Sequence, residues 1–430
     1  MNIIDTAAKA QEYANEIMPF LGINKKREIA RLLFEIAKRD NLAPPAILPP
    51  QYAKNFEQAK KFLISKRYPK NFKTAAPDSF YLPDLNLNFT LKADLKQEIF
   101  YPKNIFIENG EEGSPAAQNA LKLFPKTSPQ YFDYKNFPAA EANYSKRKET
   151  LIITKEKFDF VKPCPCTRDC FCCGYNLINL GFGCAYECAY CFLQQYQNLH
   201  AIILPANISD FLKKVESAKF KKGIFPYARV GSGEFTDSLI FDNITNYSKD
   251  IVTFFRGRAE YFEFKTKSVN IDNLLNLPPA GNVAVGWSVN PQNIIDETEL
   301  LTPSLKERLC AAAKIAAHGF KTAFHFDPVI LHDGWRENYK KVLEEIENAL
   351  PKESILWFSL GTLRFKRELK KFIEARFADN SILDEEFLLA FDGKLRYADA
   401  ARKEVYDYLR PLIKQKFPAA VNYLCMEKQI

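Results

Sequence analysis

A chain of 430 residues with 47% hydrophobic residues and a net charge of +8 can bury a substantial core; it reads as neither disordered nor strongly polycationic. No apolar run reaches the roughly 18 uncharged residues of a membrane span, and residues 1–9, with Asp5, lack the basic-then-apolar order of a signal peptide, so a cytoplasmic protein with no membrane partner is expected. Sixty basic against 52 acidic residues is compatible with a polyanionic partner such as DNA without establishing one.

In chain order, residues 1–70 read as a helical accessory region. Helices are expected over 7–18 and 25–39, the second with Ile29, Leu32, Leu33, Ile36 and Ala37 at helical spacing. The prolines of 43–50 interrupt it, because consecutive prolines cannot continue a helix. Residues 71–150, with scattered prolines and a turn at Asn109-Gly110, predict an irregular linker or arm.

From 151 to 370 short apolar strands alternate with helical stretches. Strands are expected at 228–230, 260–266, 283–289, 321–330 and 355–360, and helices at 208–218, 242–254, 270–277, 304–318 and 335–350. That order predicts an α/β fold, a partial (β/α)6 TIM-type barrel with an N-terminal helical extension, whose active groups gather at the C-terminal strand ends. Residues 371–430 read as an α-rich C-terminal extension.

Eight of the ten cysteines fall between Cys164 and Cys191, too clustered to staple distant loops, so metal ligation is favoured over disulfides. Cys184, Cys188 and Cys191 are spaced so that one tight loop offers three thiolates to an iron–sulfur cluster. A four-iron cluster normally takes four, so one iron stays open for a further ligand. The alternative is a structural zinc site, which needs a fourth ligand. The upstream run Cys164, Cys166, Cys170, Cys172 and Cys173 leaves open a second cluster, a zinc site, or reduced structural cysteines, the last being favoured.

The compact triplet with Tyr190 before its last cysteine resembles the radical-SAM signature. Ser232-Gly233-Glu234 follows a predicted strand and resembles the element that such enzymes place beside the methionine amino group. A narrower resemblance, to spore photoproduct lyase and its relatives, runs through Cys172-Cys173-Gly174-Tyr175, Leu193-Gln194-Gln195-Tyr196 and Thr266-Lys267-Ser268. It continues in Trp287-Ser288-Val289-Asn290-Pro291, Phe326-Asp327-Pro328, Gly334-Trp335 and Leu360-Gly361-Thr362. It implies a 4Fe-4S cluster on Cys184, Cys188 and Cys191 and an electron donor such as flavodoxin or ferredoxin. S-adenosylmethionine would be cleaved reductively to a 5'-deoxyadenosyl radical. Ser232, Gly233, Glu234, Lys267 and Ser288 would surround its methionine part, and Tyr190 its adenine; Tyr190 is also the catalytic candidate.

Two departures accompany the matches. Where that family carries a hydrogen-donating cysteine this chain has Glu234-Phe235-Thr236-Asp237-Ser238, and where it carries a relay tyrosine after the last cluster cysteine this chain has Phe192. Three functions therefore stand side by side: a DNA-repair lyase, a radical-SAM enzyme on a non-DNA substrate, and a noncatalytic metal-binding protein. His325 and Asp327 are expected to face the barrel interior. Arg229, Arg256, Arg258 and Arg364 are candidates to meet phosphates, and Cys310 is expected as a small buried side chain.

Overall fold

Six segments in which large apolar residues alternate with small or polar ones form parallel strands of one curled sheet. Numbered along the barrel, they are β1 (Tyr175–Ile178), β2 (Arg229–Ser232), β3 (Tyr261–Thr266), β4 (Val283–Ser288), β5 (Lys321–Val329) and β6 (Ile355–Thr362). They neighbour one another in sequence order, as right-handed βα units require. The computed structural model describes residues 3–85, 100–139, 143–166 and 170–428. One edge of the sheet is extended by Val161–Pro163, antiparallel to β1, and the other by Val421–Leu424, parallel to β6.

Alternation sorts the side chains. Phe262, Phe264, Val283, Val285, Trp287, Phe324 and Phe326 pack outward in one core with Leu309, Ile315, Val342 and Ile346 of the covering helices. Their alternates point the other way, because successive strand residues face opposite sides. Gly231 and Gly286 keep room there: a Cβ at Gly231 would lie 1.8 Å from the Tyr175 hydroxyl, and one at Gly286 2.3 Å from Glu263 Oε1.

The helix Leu305–His318 begins in a capping box, Ser304 with Glu307, and ends at Gly319 with φ of 106°, as its sequence signals anticipate. The helix expected over 242–254 is instead two, Asp242–Thr245 and Tyr247–Phe255, divided at Asn246, which adopts φ of 53°. Asparagine tolerates that left-handed conformation better than most residues.

The stretch read as irregular holds ordered structure among its described residues; 86–99 and 140–142 lie outside them. Strands Pro129–Phe132, Asn104–Glu108, Thr150–Thr154 and Ile202–Pro205 form, in that order, a second parallel sheet. Ile105, Ile107, Leu151, Ile153, Ile202 and Leu204 pack there with alanines of the helix Pro115–Leu123.

The chain divides into two compact units. The barrel and the second sheet belong to Asp94–Thr362 with Lys403–Ile430, and the other unit is Met1–Ala93 with Leu363–Arg402. In the latter, helices Ile3–Ile17, Ile23–Asp40 and Phe56–Arg67 bury Ala10, Ala14, Leu32, Leu33 and Leu63. Glu35 is buried between Arg31, Arg67 and Lys370, and strands Arg364–Lys366, Lys394–Tyr397 and Phe387–Leu389 form a small antiparallel sheet. Among the described residues no helix is long and apolar enough to cross a membrane.

Candidate metal and cofactor site

The cysteine triplet lies on the loop that follows β1, and residues remote in sequence fasten it. Arg147, fully buried, donates from Nε to the Cys184 carbonyl (2.8 Å) and from Nη2 to the Tyr186 carbonyl (2.6 Å), and its Nη1 pairs with Glu187 (2.9 Å). Gly183, at φ of 88°, has no room for a side chain, since a Cβ would come within 2.6 Å of the Ala201 carbonyl; its N–H bonds the Phe235 carbonyl. Glu187–Cys188 pairs antiparallel with Glu299–Leu300, and the Gln194 side chain donates to the carbonyls of Ala189 and Cys191. Both halves of the loop are thus held by the fold.

The three thiols are half-buried and none is in a disulfide. Burial pushes the Cys184 thiol up to about 12, and Cys188 also rises, burial outweighing the help of the Lys267 ammonium. Cys191 further opposes ionisation of Cys184, and both oppose that of Cys188, which is the situation a bound cation reverses. Among the described residues no three His, Cys, Asp or Glu side chains close around a single ion position. A single zinc would draw its thiolates to within about 3.8 Å of one another, from Zn–S bonds of about 2.3 Å. A cubane gives each cysteine its own iron and spreads them wider. Three thiols on one loop fit that donor set.

Ser232-Gly233-Glu234 sits at the C-terminal end of β2. Gly233 has φ of 98°, and a Cβ there would lie 2.7 Å from the Lys265 carbonyl, so glycine alone allows this turn to press against β3. The Ser232 hydroxyl is buried and hydrogen-bonded to Ser238 at 2.8 Å, which makes it part of the turn's frame. Glu234 Oε2 lies 2.9 Å from Lys162 Nζ, so this carboxylate already faces an ammonium. Thr236 is buried, and its hydroxyl has no hydrogen-bond partner among the described residues.

Lys267 follows β3. Asp237 accepts from its N–H (2.6 Å) and from the Thr266 hydroxyl (2.6 Å), tying the β2 turn to the end of β3. Burial disfavours the Lys267 charge, but Glu299 and Cys188 outweigh it and raise its pKa. Its Nζ stands 5.6 Å from the Tyr190 ring centre. Tyr190 donates its hydroxyl to Glu299, which also accepts from Asn290 (2.8 Å) and pairs with Arg308 (2.7 Å). Burial opposes the Glu299 charge, yet Arg308 and Lys267 hold the carboxyl down to about 2. Ser288 ends β4, buried, its carbonyl accepting from Arg308 at 2.9 Å. Phe192, Phe235 and Phe182 form an aromatic wall beside the loop, with Phe182 and Phe235 stacked at 5.3 Å and Phe192 against Phe235 at 6.3 Å.

The sequence model of the family described as spore photoproduct lyase matches residues 127–425. This chain belongs to the spore photoproduct lyase family. It is thereby a radical-SAM enzyme of the lyase type. The spore photoproduct lyase of Geobacillus sp. (strain Y412MC61) is 26% identical over 344 residues, which cover 75% of this chain and 97% of that one. That of Bacillus subtilis (strain 168) is 27% identical over 308 residues, 67% of this chain and 86% of that one. A solved spore photoproduct lyase mutant with bound AdoMet and dinucleoside spore photoproduct is similar in fold, with a TM-score of 0.63 at 22% identity over 77% of this chain and 100% of that one. The partial barrel expected for the family is the fold observed.

Within this family member the site gathers more than its motifs. Arg147, Asp237, Glu299 and Arg308 carry no motif and organise the loop and its surroundings. Other expectations are corrected. Arg229 meets no phosphate: it is buried inside the barrel, paired with Glu263 at 3.1 Å and ringed by Tyr175, Phe225, Trp357 and Tyr423. Arg256 and Arg258, by contrast, stay at the surface, where Arg258 pairs with Glu216 and Arg256 bonds the Pro278 carbonyl. Cys310 is exposed on its helix, because its position falls on the face away from the core. His325 does face inward, bonded to Glu263 and Ser359.

Proposed function

We propose that this enzyme binds a 4Fe-4S cluster through Cys184, Cys188 and Cys191, uses S-adenosylmethionine as its cofactor, and acts on a lesion in DNA. The observation that carries the reading is the fastening of the three-cysteine loop at the C-terminal mouth of the barrel, with the Lys267 ammonium beside Cys188 and over Tyr190. The mouth is where barrel enzymes keep their reacting groups. The DNA lesion is carried over from the curated relatives named above.

When bound, the cluster supplies one-electron reduction of a sulfonium centre. The chain's own residues do the positioning. Glu234, whose carboxylate already faces the Lys162 ammonium, suits the methionine amino group, with the close backbone of Gly233 shaping the approach. Lys267 suits the methionine carboxylate, and Ser288 lines the next strand end. Tyr190, locked by Glu299, offers the adenine a fixed aromatic edge and is the candidate catalytic group. Ser232 contributes through its bond to Ser238. We assign the chemistry to residues 151–370 of a cytoplasmic protein, with a flavodoxin or ferredoxin as electron source.

A second reading, a non-DNA substrate, is favoured by one feature: Phe192 and Phe235 are in ring contact, and the resemblance puts the family's relay tyrosine at Phe192 and its donor cysteine within 234–238, where this chain has neither. Anaerobic reconstitution tests both. Cluster-dependent formation of 5'-deoxyadenosine is expected, and its absence from a loaded protein rejects the enzyme reading. Stimulation by DNA carrying defined thymine lesions, with repaired thymine as product, supports the first; unchanged turnover and unaltered DNA support the second.

A further inference from the structure

The cysteines upstream of the site are drawn together by the fold. Val161–Pro163 pairs with β1, and the ladder continues one step further, Cys164 N–H donating to the Tyr175 carbonyl at 2.9 Å. Cys173 lies two residues before Tyr175, so the two ends of the connection that carries these cysteines are adjacent, as hairpin geometry demands. Cys166 N–H turns back onto the Cys164 carbonyl at 2.7 Å, and the Cys164 and Cys166 thiols are hydrogen-bonded to each other.

A fourth thiol comes from the opposite edge of the sheet. Cys425 directly follows the edge strand Val421–Leu424 and donates its N–H to the Leu360 carbonyl (2.7 Å). Two residues on, the Glu427 carbonyl accepts from Phe171 N–H at 2.8 Å, which binds the C-terminal segment to the cysteine-bearing connection. Cys425 and Cys173 both act electrostatically on Cys164, as Cys166 does on Cys173, so the four thiols form one neighbourhood. The Arg229 guanidinium, which eases ionisation of Cys173, is the positive charge at hand.

We propose that Cys164, Cys166, Cys173 and Cys425 bind a thiolate-ligated metal centre, separate from the cluster at the barrel mouth, that clips the two edges of the half-barrel together. Each thiol gives its proton to solvent on binding, and the metal charge offsets the thiolates. The chemistry suits a zinc ion or an iron–sulfur cluster. Among the described residues no three ligands already close on one ion, so metal entry either draws the thiols in or spans them with a cluster. The inference is independent of the proposed reaction.

The test removes the other centre. The variant Cys184→Ala/Cys188→Ala/Cys191→Ala, purified anaerobically, is analysed for zinc, iron and acid-labile sulfide. About one zinc per chain identifies a zinc site; roughly equal iron and sulfide, about four of each, identifies a second cluster. A folded, metal-free variant overturns the proposal. Thiol alkylation of the wild-type holoprotein, mapped by mass spectrometry, covers the case in which the variant does not fold. Cys164, Cys166, Cys173 and Cys425 are expected to react at least tenfold faster after chelation. Equal reactivity before and after, or a native disulfide among them, overturns it.

Discussion

His325 Nε2 lies 2.6 Å from Glu263 Oε1 inside the barrel, and the same carboxylate meets Arg229 Nη2 at 3.1 Å and accepts from Trp357 Nε1 at 2.9 Å. One acidic group thereby links four strands beneath the site, and Gly286 is required because a Cβ would collide with both partners of the first pair. Replacing it as Glu263→Gln leaves Arg229 buried without a countercharge and turns an amide donor toward groups that are themselves donors. Loss of one partner of a buried pair costs about 3–5 kcal/mol. Urea denaturation is expected to show a midpoint lowered accordingly, with the slope unchanged.

The same pair is expected to make the enzyme acid-labile. Burial lowers the His325 pKa below its ordinary 6.5 despite Glu263, so the folded state resists protonation there. Its contribution is full above pH 6.5 and lost as pH falls below it. Glu263 is opposed by burial, but His325 and Arg229 hold it well below its ordinary 4.5; its contribution is present above 4.5 and lost as pH falls further. Each group adds a slope of about 1.4 kcal/mol per pH unit in its window. Unfolding free energy measured from pH 8 to 4 is expected to start falling near 6.5. The variant His325→Asn should remove the first part of that slope; an identical profile would reject the assignment.

Most of the barrel was legible because β3 to β6 are six to nine residues long, apolar and separated by well-signalled helices such as Leu305–His318, whereas the four-residue β1 was not anticipated. The parallel sheet of Asn104–Glu108 and its neighbours was not, because its strands have four or five residues and prolines stand at their margins. The cysteines and Gly233 announced themselves through short-range spacing. Arg147, which holds Cys184 through its carbonyl, and Glu299, which holds Tyr190, lie 37 and 109 residues from their partners. No local pattern encodes a pairing of that kind. Cys425 is hidden for the same reason, since only the curl of the sheet and the Phe171–Glu427 backbone bond bring its edge near Cys164.

Gly233→Ala separates backbone shape from side-chain chemistry. A left-handed φ costs a non-glycine residue about 1–2 kcal/mol, and the 2.7 Å approach to the Lys265 carbonyl adds a clash with backbone that cannot swing aside. The turn is expected to shift, displacing Glu234. Affinity for S-adenosylmethionine, measured by equilibrium dialysis on reconstituted protein, should fall at least tenfold while the iron–sulfur absorbance stays. Glu234→Gln is expected to weaken binding similarly at no comparable cost in thermal stability, because Lys162 is partly exposed and remains solvated.

Cys188→Ala and Tyr190→Phe are two residues apart and should behave differently. Loss of the Cys188 thiol leaves two thiolates on the loop; the broad iron–sulfur absorbance and cleavage of S-adenosylmethionine are expected to vanish together. Tyr190→Phe removes only the hydroxyl that Glu299 accepts, and Glu299 keeps Asn290 and Arg308. A hydrogen bond to a charged group contributes about 1.5–3 kcal/mol, so a modest loss of stability is expected with the cluster spectrum intact. If Tyr190 takes part in the reaction, substrate turnover in this variant falls more than S-adenosylmethionine cleavage does, and the two rates measured in one assay diverge. If Tyr190 only packs, both rates fall in proportion to the fraction of folded enzyme.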